Sequence, residues 1–233
     1  MDKKELVIIK KFEKVFQETY STNGQKGDNF VGDLLEEKLG KGVDNLSLPD
    51  LFDINTEIKT SQKKPNCNMT GVTKSPCIGK NSDLWRKYGY PTEDGRQKLV
   101  RDVYSTKNKH GWYLIADEDQ IQIKDDNQVF CSWNTDVIVT AFKEKMPNLY
   151  HVKYEIVDGQ IRFLDLISYK DITTEPIIKL LNESNMVISI RLSESKSGGC
   201  RDRGTAFRLR GVDPYDSLFS KKKILIKSGS IVL

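Results

Sequence analysis

Soft metal-ligating residues are scarce in this chain. Its 233 residues include only two histidines, His110 and His151, and four cysteines, Cys67, Cys77, Cys131 and Cys200, none in CxxC spacing. No zinc-site pattern is present, and the cysteines read as reduced structural thiols. Apolar runs of membrane-spanning length are absent as well, which excludes a transmembrane helix. The opening residues Met1-Asp2-Lys3-Lys4-Glu5 begin a mixed-charge amphipathic helix and lack the apolar core of a signal peptide, so the expected location is cytoplasmic. No internal repeat, heptad or low-complexity tract occurs, which excludes solenoid and coiled-coil architectures.

Charge, by contrast, is plentiful and unevenly spread. The net charge is +4, yet the span from Arg191 to Leu233 holds ten Lys/Arg against four acidic residues, or +6, leaving residues 1–190 near −2. A basic end on a near-neutral body is the footprint of a polyanion-binding surface.

Strand patterns dominate, with helices interspersed. Leu6, Ile9, Phe12, Val15 and Phe16 predict a helix over 3–19, and Val31, Leu34, Leu35 and Leu39 one ending near Gly40. A short strand is expected at 69–73. Residues 79–98 read as a long loop or a short helix, with Trp85, Tyr88 and Tyr90 beside basic residues. Strands follow over 100–104, 112–116, 120–124 and 128–131, then a helix over 135–146. Asp158-Gly159 predicts a hairpin between strands at 150–157 and 161–168. A short helix at 175–183, a strand at 186–192 and basic strands near 208–210 and 221–227 complete the pattern. The fold class is α+β, or mixed α/β.

The stretch from Pro49 to Thr60 carries the chemistry. Asp50 is followed seven residues later by Glu57, and Lys59 lies two beyond. On a strand, Glu57 and Lys59 share one face while Ile58 points into the core. Two carboxylates, with the carbonyl of Ile58 between them, suit a hard divalent cation; the lysine would orient water or offset charge at a phosphate. Asp53 competes with Asp50 as ligand. Glu36, fourteen residues upstream on a helix, reads either as a supporting carboxylate or as a surface glutamate. A solvated strand with chance charges is the competing reading. At the other end, Arg201, Asp202, Arg203, Arg208 and Arg210 lie in one block. Arginine suits both guanine edges and phosphates.

These blocks resemble the MutH-like branch of the PD-(D/E)XK nucleases, and within it the MvaI/BcnI type of monomeric restriction endonuclease. Gly32-Asp33-Leu34-Leu35-Glu36 looks like the helix carrying an active-site glutamate. Pro49-Asp50-Leu51-Phe52-Asp53 with Glu57-Ile58-Lys59-Thr60 looks like the metal-binding strand pair. Thr73-Lys74-Ser75-Pro76 and the segment Arg201–Arg208 look like two further segments of the MvaI type, the second its recognition segment. Two features depart from that type. The Asp50–Glu57 step is longer, as in MutH, consistent with a bulge at Asn55-Thr56, and Arg201 and Arg203 replace histidines.

The resemblance implies a central mixed sheet flanked by helices, in two lobes around a DNA cleft, with residues 1–170 mainly catalytic and 171–233 mainly for recognition. It implies a sequence-specific type II endonuclease that uses Mg²⁺, with Mn²⁺ able to substitute, and leaves 5′-phosphate ends. Asp50, Glu57, Lys59 and Glu36 would be catalytic, with Asp50, Glu57 and the Ile58 carbonyl on the metal. Lys74 and the arginine block would contact double-stranded DNA. A monomer paired with a cognate DNA methyltransferase is expected. The alternatives are a MutH-like strand-specific nickase of mismatch repair and a non-catalytic DNA-binding derivative of the fold.

Overall fold

A computed structural model describes residues 3–25, 28–40, 50–51, 54–62, 69–211 and 215–232. The chain divides into two compact units: residues 1–65, 145–171 and 219–233 in one, and 66–144 and 172–218 in the other. One break between the two units falls between Asp171 and Ile172. The units are interleaved, however, because 66–144 groups with the later block and 219–233 returns to the first. Elements are numbered in chain order across both units. No described helix is long and apolar enough to cross a membrane.

In the first unit, helices α1 (Lys3–Phe16) and α2 (Asp28–Lys38) accompany strands β1 (Thr19–Ser21), β2 (Glu57–Gln62), β9 (Asn148–Val157), β10 (Gln160–Ile172), β14 (Phe219–Lys227) and β15 (Ser230–Ile231). The sheet runs β15-β14-β10-β9-β2, with β1 also on β10. Its edge strand β2 is parallel to β9, while β9 and β10 form the expected antiparallel hairpin. Asp158 and Gly159 both take positive φ at that turn (51° and 72°), as a tight right-twisting hairpin requires. The first helix stops short of its expected end because Thr19–Ser21 pairs with Gln160–Arg162 instead. Ile9, Phe12, Val15 and Phe16 of α1 and Val31, Leu35 and Leu39 of the α2 region pack on Ile58, Tyr150, Val152, Tyr154 and Phe163. The stripe at helical spacing thus meets the alternate residues of the sheet, and Ile58 is drawn into that core.

The second unit holds β3 (Met69–Thr70), α3 (Asn81–Tyr88), β4 (Tyr90–Pro91), β5 (Gln97–Val103), β6 (Tyr113–Ala116), β7 (Gln120–Lys124), β8 (Val129–Asn134) and α4 (Thr135–Lys145). It continues with α5 (Thr174–Asn182), β11 (Met186–Glu194), β12 (Cys200–Asp202), β13 (Ala206–Leu209) and α6 (Tyr215–Leu218). The main sheet runs β3-β13-β11-β5-β4 with β12 also on β11, and β6-β7-β8 form a separate meander. The open choice over 79–98 resolves as α3 followed by the β4–β5 hairpin, and α3 buries Leu84 and Trp85. Trp133 and Phe207 meet edge-on with centroids 5.5 Å apart, tying the meander to β13. Gly71 is forced by close approach: a Cβ there would stand 2.0 Å from the carbonyl oxygen of Phe207. Among the described residues Cys77, Cys131 and Cys200 are free thiols.

Candidate functional site

The first cluster is built on the edge strand β2. Ile58 faces the core, so Glu57 and Lys59 emerge on the opposite face, together with Leu149 and His151, their partners in register on β9. The seven-residue step from Asp50 to Glu57 closes as a turn. Leu51 and Thr56 exchange backbone hydrogen bonds (2.8 and 3.2 Å), and Asn55 adopts a left-handed φ of 49°. Asparagine tolerates that conformation better than most residues. Pairing Leu51 with Thr56 brings Asp50 alongside Glu57, and the Ile58 N–H donates to Asp50 Oδ2 at 2.8 Å. In place of the expected bulge at Asn55-Thr56, the chain makes this turn. Asp53 lies outside the described residues.

Glu57 is only 7 % exposed. Its carboxylate accepts a hydrogen bond from the Lys59 ammonium at 2.5 Å. Burial nevertheless holds the carboxyl above its ordinary acidity range. The attraction of Lys59 opposes that shift, Asp50 adds to it by repulsion, and Lys145 at the end of α4 offsets part of it. The side chain is thus costly to ionise and gains from an added positive charge. The donor set is all oxygen, which suits a hard divalent cation. An Ile58 N–H aimed at Asp50 puts the carbonyl of Ile58 on the same open edge, since both groups of one strand residue face one side. Among the described residues no group of three or more His, Cys, Asp or Glu stands close enough to hold a metal, so the carbonyl and water would complete the shell. Beside this cluster, His151 Nε2 and Ser61 Oγ lie 2.7 Å apart, both buried.

The second cluster occupies one face of the main sheet in the second unit. Register places Lys98, Val100 and Asp102 of β5 beside Ser193, Arg191 and Ser189 of β11, with Arg208 of β13 opposite Val187 and Arg201 of β12 opposite Ser193. A groove of about 660 Å³ is lined by Arg96, Lys98, Arg191, Arg203 and Arg208, together with the acidic Asp94 and Glu194. Burial and the nearby Arg191 and Arg210 charges lower the proton affinity of Arg208, and Asp102 partly restores it. Such a surface, concave and mainly basic, attracts phosphates and presents forked donors.

The sequence profile of the MvaI/BcnI restriction endonuclease family matches residues 9–219. The chain belongs to that family. It is accordingly a type II restriction endonuclease, a site-specific deoxyribonuclease. Two solved structures share its fold. One is "Restriction endonuclease MvaI-cognate DNA substrate complex", with 21 % identity and a TM-score of 0.72, covering 96 % of this chain and 99 % of that one. The other is "Restriction endonuclease MvaI in the absence of DNA", with 19 % identity and a TM-score of 0.60, covering 97 % and 99 %. A search of curated proteins finds no match.

In this endonuclease Asp50, Glu57, Ile58 and Lys59 come together in the first unit. Glu36 stands half-buried on α2, one helical turn beyond Gly32, where a Cβ would lie 3.7 Å from Thr60 Oγ1 of β2. Lys74 has an exposed side chain in the second unit, and its carbonyl accepts the indole N–H of Trp133 at 2.9 Å. Arg201 and Arg203 are exposed, and Arg203 Nε donates to Ser193 Oγ at 3.0 Å. Asp202 is exposed too, and it orders its own turn: its Oδ1 accepts the N–H groups of Gly204 and Thr205, and its Oδ2 accepts Asn81 Nδ2. Arg210 pairs with Asp102. The sequence reading did not single out Asp102, Ser189, Arg191, Lys145 or the His151–Ser61 pair. Ser189 and Arg191 did leave a signal, as polar residues at spacing two within the otherwise apolar Met186–Leu192.

Proposed function

We propose that this endonuclease hydrolyses double-stranded DNA with Mg²⁺, through Asp50, Glu57 and Lys59, leaving 5′-phosphate and 3′-hydroxyl ends. The observation carrying this reading is the pairing of Asp50 with Glu57 across the Leu51–Thr56 turn, with Lys59 on the Glu57 carboxylate. Asp50 and Glu57 would hold the cation together with the Ile58 carbonyl. The adjacency of Asp50 to Ile58 N supports Asp50 over Asp53 as ligand. When bound, the cation supplies Lewis-acid polarisation of the scissile phosphate and acidifies the attacking water. Lys59 offsets the negative charge that grows on the phosphate oxygens and orients the water as its oxygen bonds to phosphorus and the 3′-oxygen leaves. Glu36 supports this centre from α2. On the second unit the basic groove, with Lys74, Arg201, Arg203 and Arg208, engages the duplex. Asp202 serves there by shaping the turn that carries Arg203, and Arg210 by its pair with Asp102.

The enzyme acts as a cytoplasmic monomer, with a cognate DNA methyltransferase protecting the host sites, and Mn²⁺ replaces Mg²⁺. The test is digestion of plasmid DNA with Mg²⁺ and with EDTA, using wild type, Glu57→Ala and Lys59→Ala. Discrete duplex fragments are expected from wild type alone, and only with metal. Full activity in either variant would overturn the assignment. Nicked circles that accumulate without double-strand breaks would point to a strand-specific nickase, and metal-independent binding without cleavage to a non-catalytic derivative.

A further inference from the structure

The arginines on the basic face are held by different partners, and Asp102 holds two of them, Arg191 and Arg210. Asp102 lies opposite Ser189 in register, so their side chains share the groove face. Its Oδ2 is taken by Arg210. Its Oδ1 accepts from Ser189 Oγ at 2.6 Å and lies 3.5 Å from Arg191 Nη2. The hydroxyl of Ser189 in turn accepts from Arg191 Nε at 2.9 Å. The backbone of Arg191 is bound as well: its N–H donates to Thr205 Oγ1 at 3.1 Å, and its carbonyl accepts the Arg203 N–H at 2.6 Å.

Arg191 therefore has Nε bound to Ser189 and Nη2 drawn toward the Asp102 carboxylate, and it lines the groove beside Lys98, Arg203 and Arg208. What is left for a ligand is the end of the fork, Nη1 with the outer hydrogen of Nη2. A donor pair of that kind matches two adjacent acceptors, such as O6 and N7 of guanine. Mere phosphate attraction needs no such bracing, and Asp102 weakens it by cancelling positive charge in the groove. Bracing contributes most where the angle of approach matters, because ordering the side chain beforehand lowers the cost of a directional contact.

We infer that Asp102, acting with Ser189, is a positioning residue that sets site discrimination by fixing the Arg191 fork in the groove. This rests on the reading of the basic face as the DNA interface. The test begins by mapping the target from the sequenced ends of digested phage DNA. Binding is then measured in EDTA on duplexes with the site, with single G·C to A·T changes in it, and without it. The proteins are wild type, Ser189→Ala, Asp102→Asn and Arg208→Ala. Ser189→Ala keeps the Asp102–Arg210 pair, so it reports on positioning even where Asp102→Asn folds poorly.

For both positioning variants the preference for the true site over at least one changed site is expected to fall by about tenfold. Binding to unrelated duplex should stay constant for Ser189→Ala and tighten for Asp102→Asn. Undiminished preference in Ser189→Ala, with specific binding lost in Arg208→Ala, overturns the positioning role and leaves the interface standing. Undiminished specific binding in Arg208→Ala as well overturns the interface reading itself. An equal loss on every duplex marks a purely structural role and also overturns the proposal.

Discussion

Replacing Glu57 by glutamine separates the catalytic use proposed for the carboxylate from its cost to the fold. The side chain is 7 % exposed, and burial outweighs its ammonium partner in setting the proton affinity. In Glu57→Gln the lysine still donates, now to an amide oxygen. That bond stays charge-assisted on the donor side, worth about 1.5–3 kcal/mol, and what is lost is the attraction between two opposite charges. Against that loss stands relief from burying a carboxylate, which costs several kcal/mol before its partners compensate. Because the carboxyl is held above its ordinary value of 4.5, the balance favours the neutral side chain. The metal-free variant should be more stable at neutral pH, by about 1 kcal/mol. For a chain of this size that raises the melting midpoint by roughly 2–4 °C.

The sign of the pH dependence follows from the raised affinity. Ionised Glu57 costs stability above its folded-state midpoint, and that cost is absent below 4.5, where the group is protonated folded or unfolded. The advantage of Glu57→Gln should therefore shrink as pH falls toward 4.5. Saturating Mg²⁺ should reverse the order, because ligand at about 100 times its Kd adds about 2.7 kcal/mol to wild type and little to the variant. Cleavage should fall at least about a hundredfold. Melting scans in EDTA and in Mg²⁺ across pH, with plasmid cleavage alongside, measure all of this. A variant less stable than wild type in EDTA at neutral pH, or an advantage indifferent to pH, would refute the account of the carboxylate.

Lys59→Met removes the nearest cation and should push the Glu57 carboxyl further up, so that any residual cleavage is lost at a higher pH than in wild type; a pH–rate profile reads this directly. Gly71→Ala drives a methyl group against the Phe207 carbonyl, now 2.0 Å from the Cβ position, and should cost more than about 3 kcal/mol. Urea unfolding measures that loss, and normal stability would show that β3 can yield. Arg203→Ala should reduce the slope of log binding constant against log salt by about 0.9, as for one lost phosphate contact, with sequence preference unchanged. Salt titrations on specific and unrelated duplexes distinguish that from lost base reading.

Much of the fold and of the Glu57–Lys59 edge is written in local pattern. The Phe12–Phe16 stripe, the Asp158-Gly159 turn and the alternation of Glu57, Ile58 and Lys59 each depend on neighbours in the chain, and period and turn chemistry expose them. So does the ordering of blocks by which the family is recognised. Pairings between distant segments leave no such trace. Thr19 reads as the end of a helix and Ser21 as loop until β10 offers them hydrogen bonds, and β11 gathers β5 and β13 on either side although all three lie far apart in the chain.

The same limit divides the two clusters. Glu57 and Lys59 are two residues apart, so a strand alone puts them on one face, and the sequence suffices for that much. Their electrostatics needed the tertiary structure, because Asp50 and Lys145 act on Glu57 only across a closed turn and from the end of a helix. Asp102 lies 87 residues from Ser189 along the chain, and only the β5–β11 register joins them. Periodicity assigns a side chain to a face; which partners meet on that face depends on strand order and register, which the whole core sets at once.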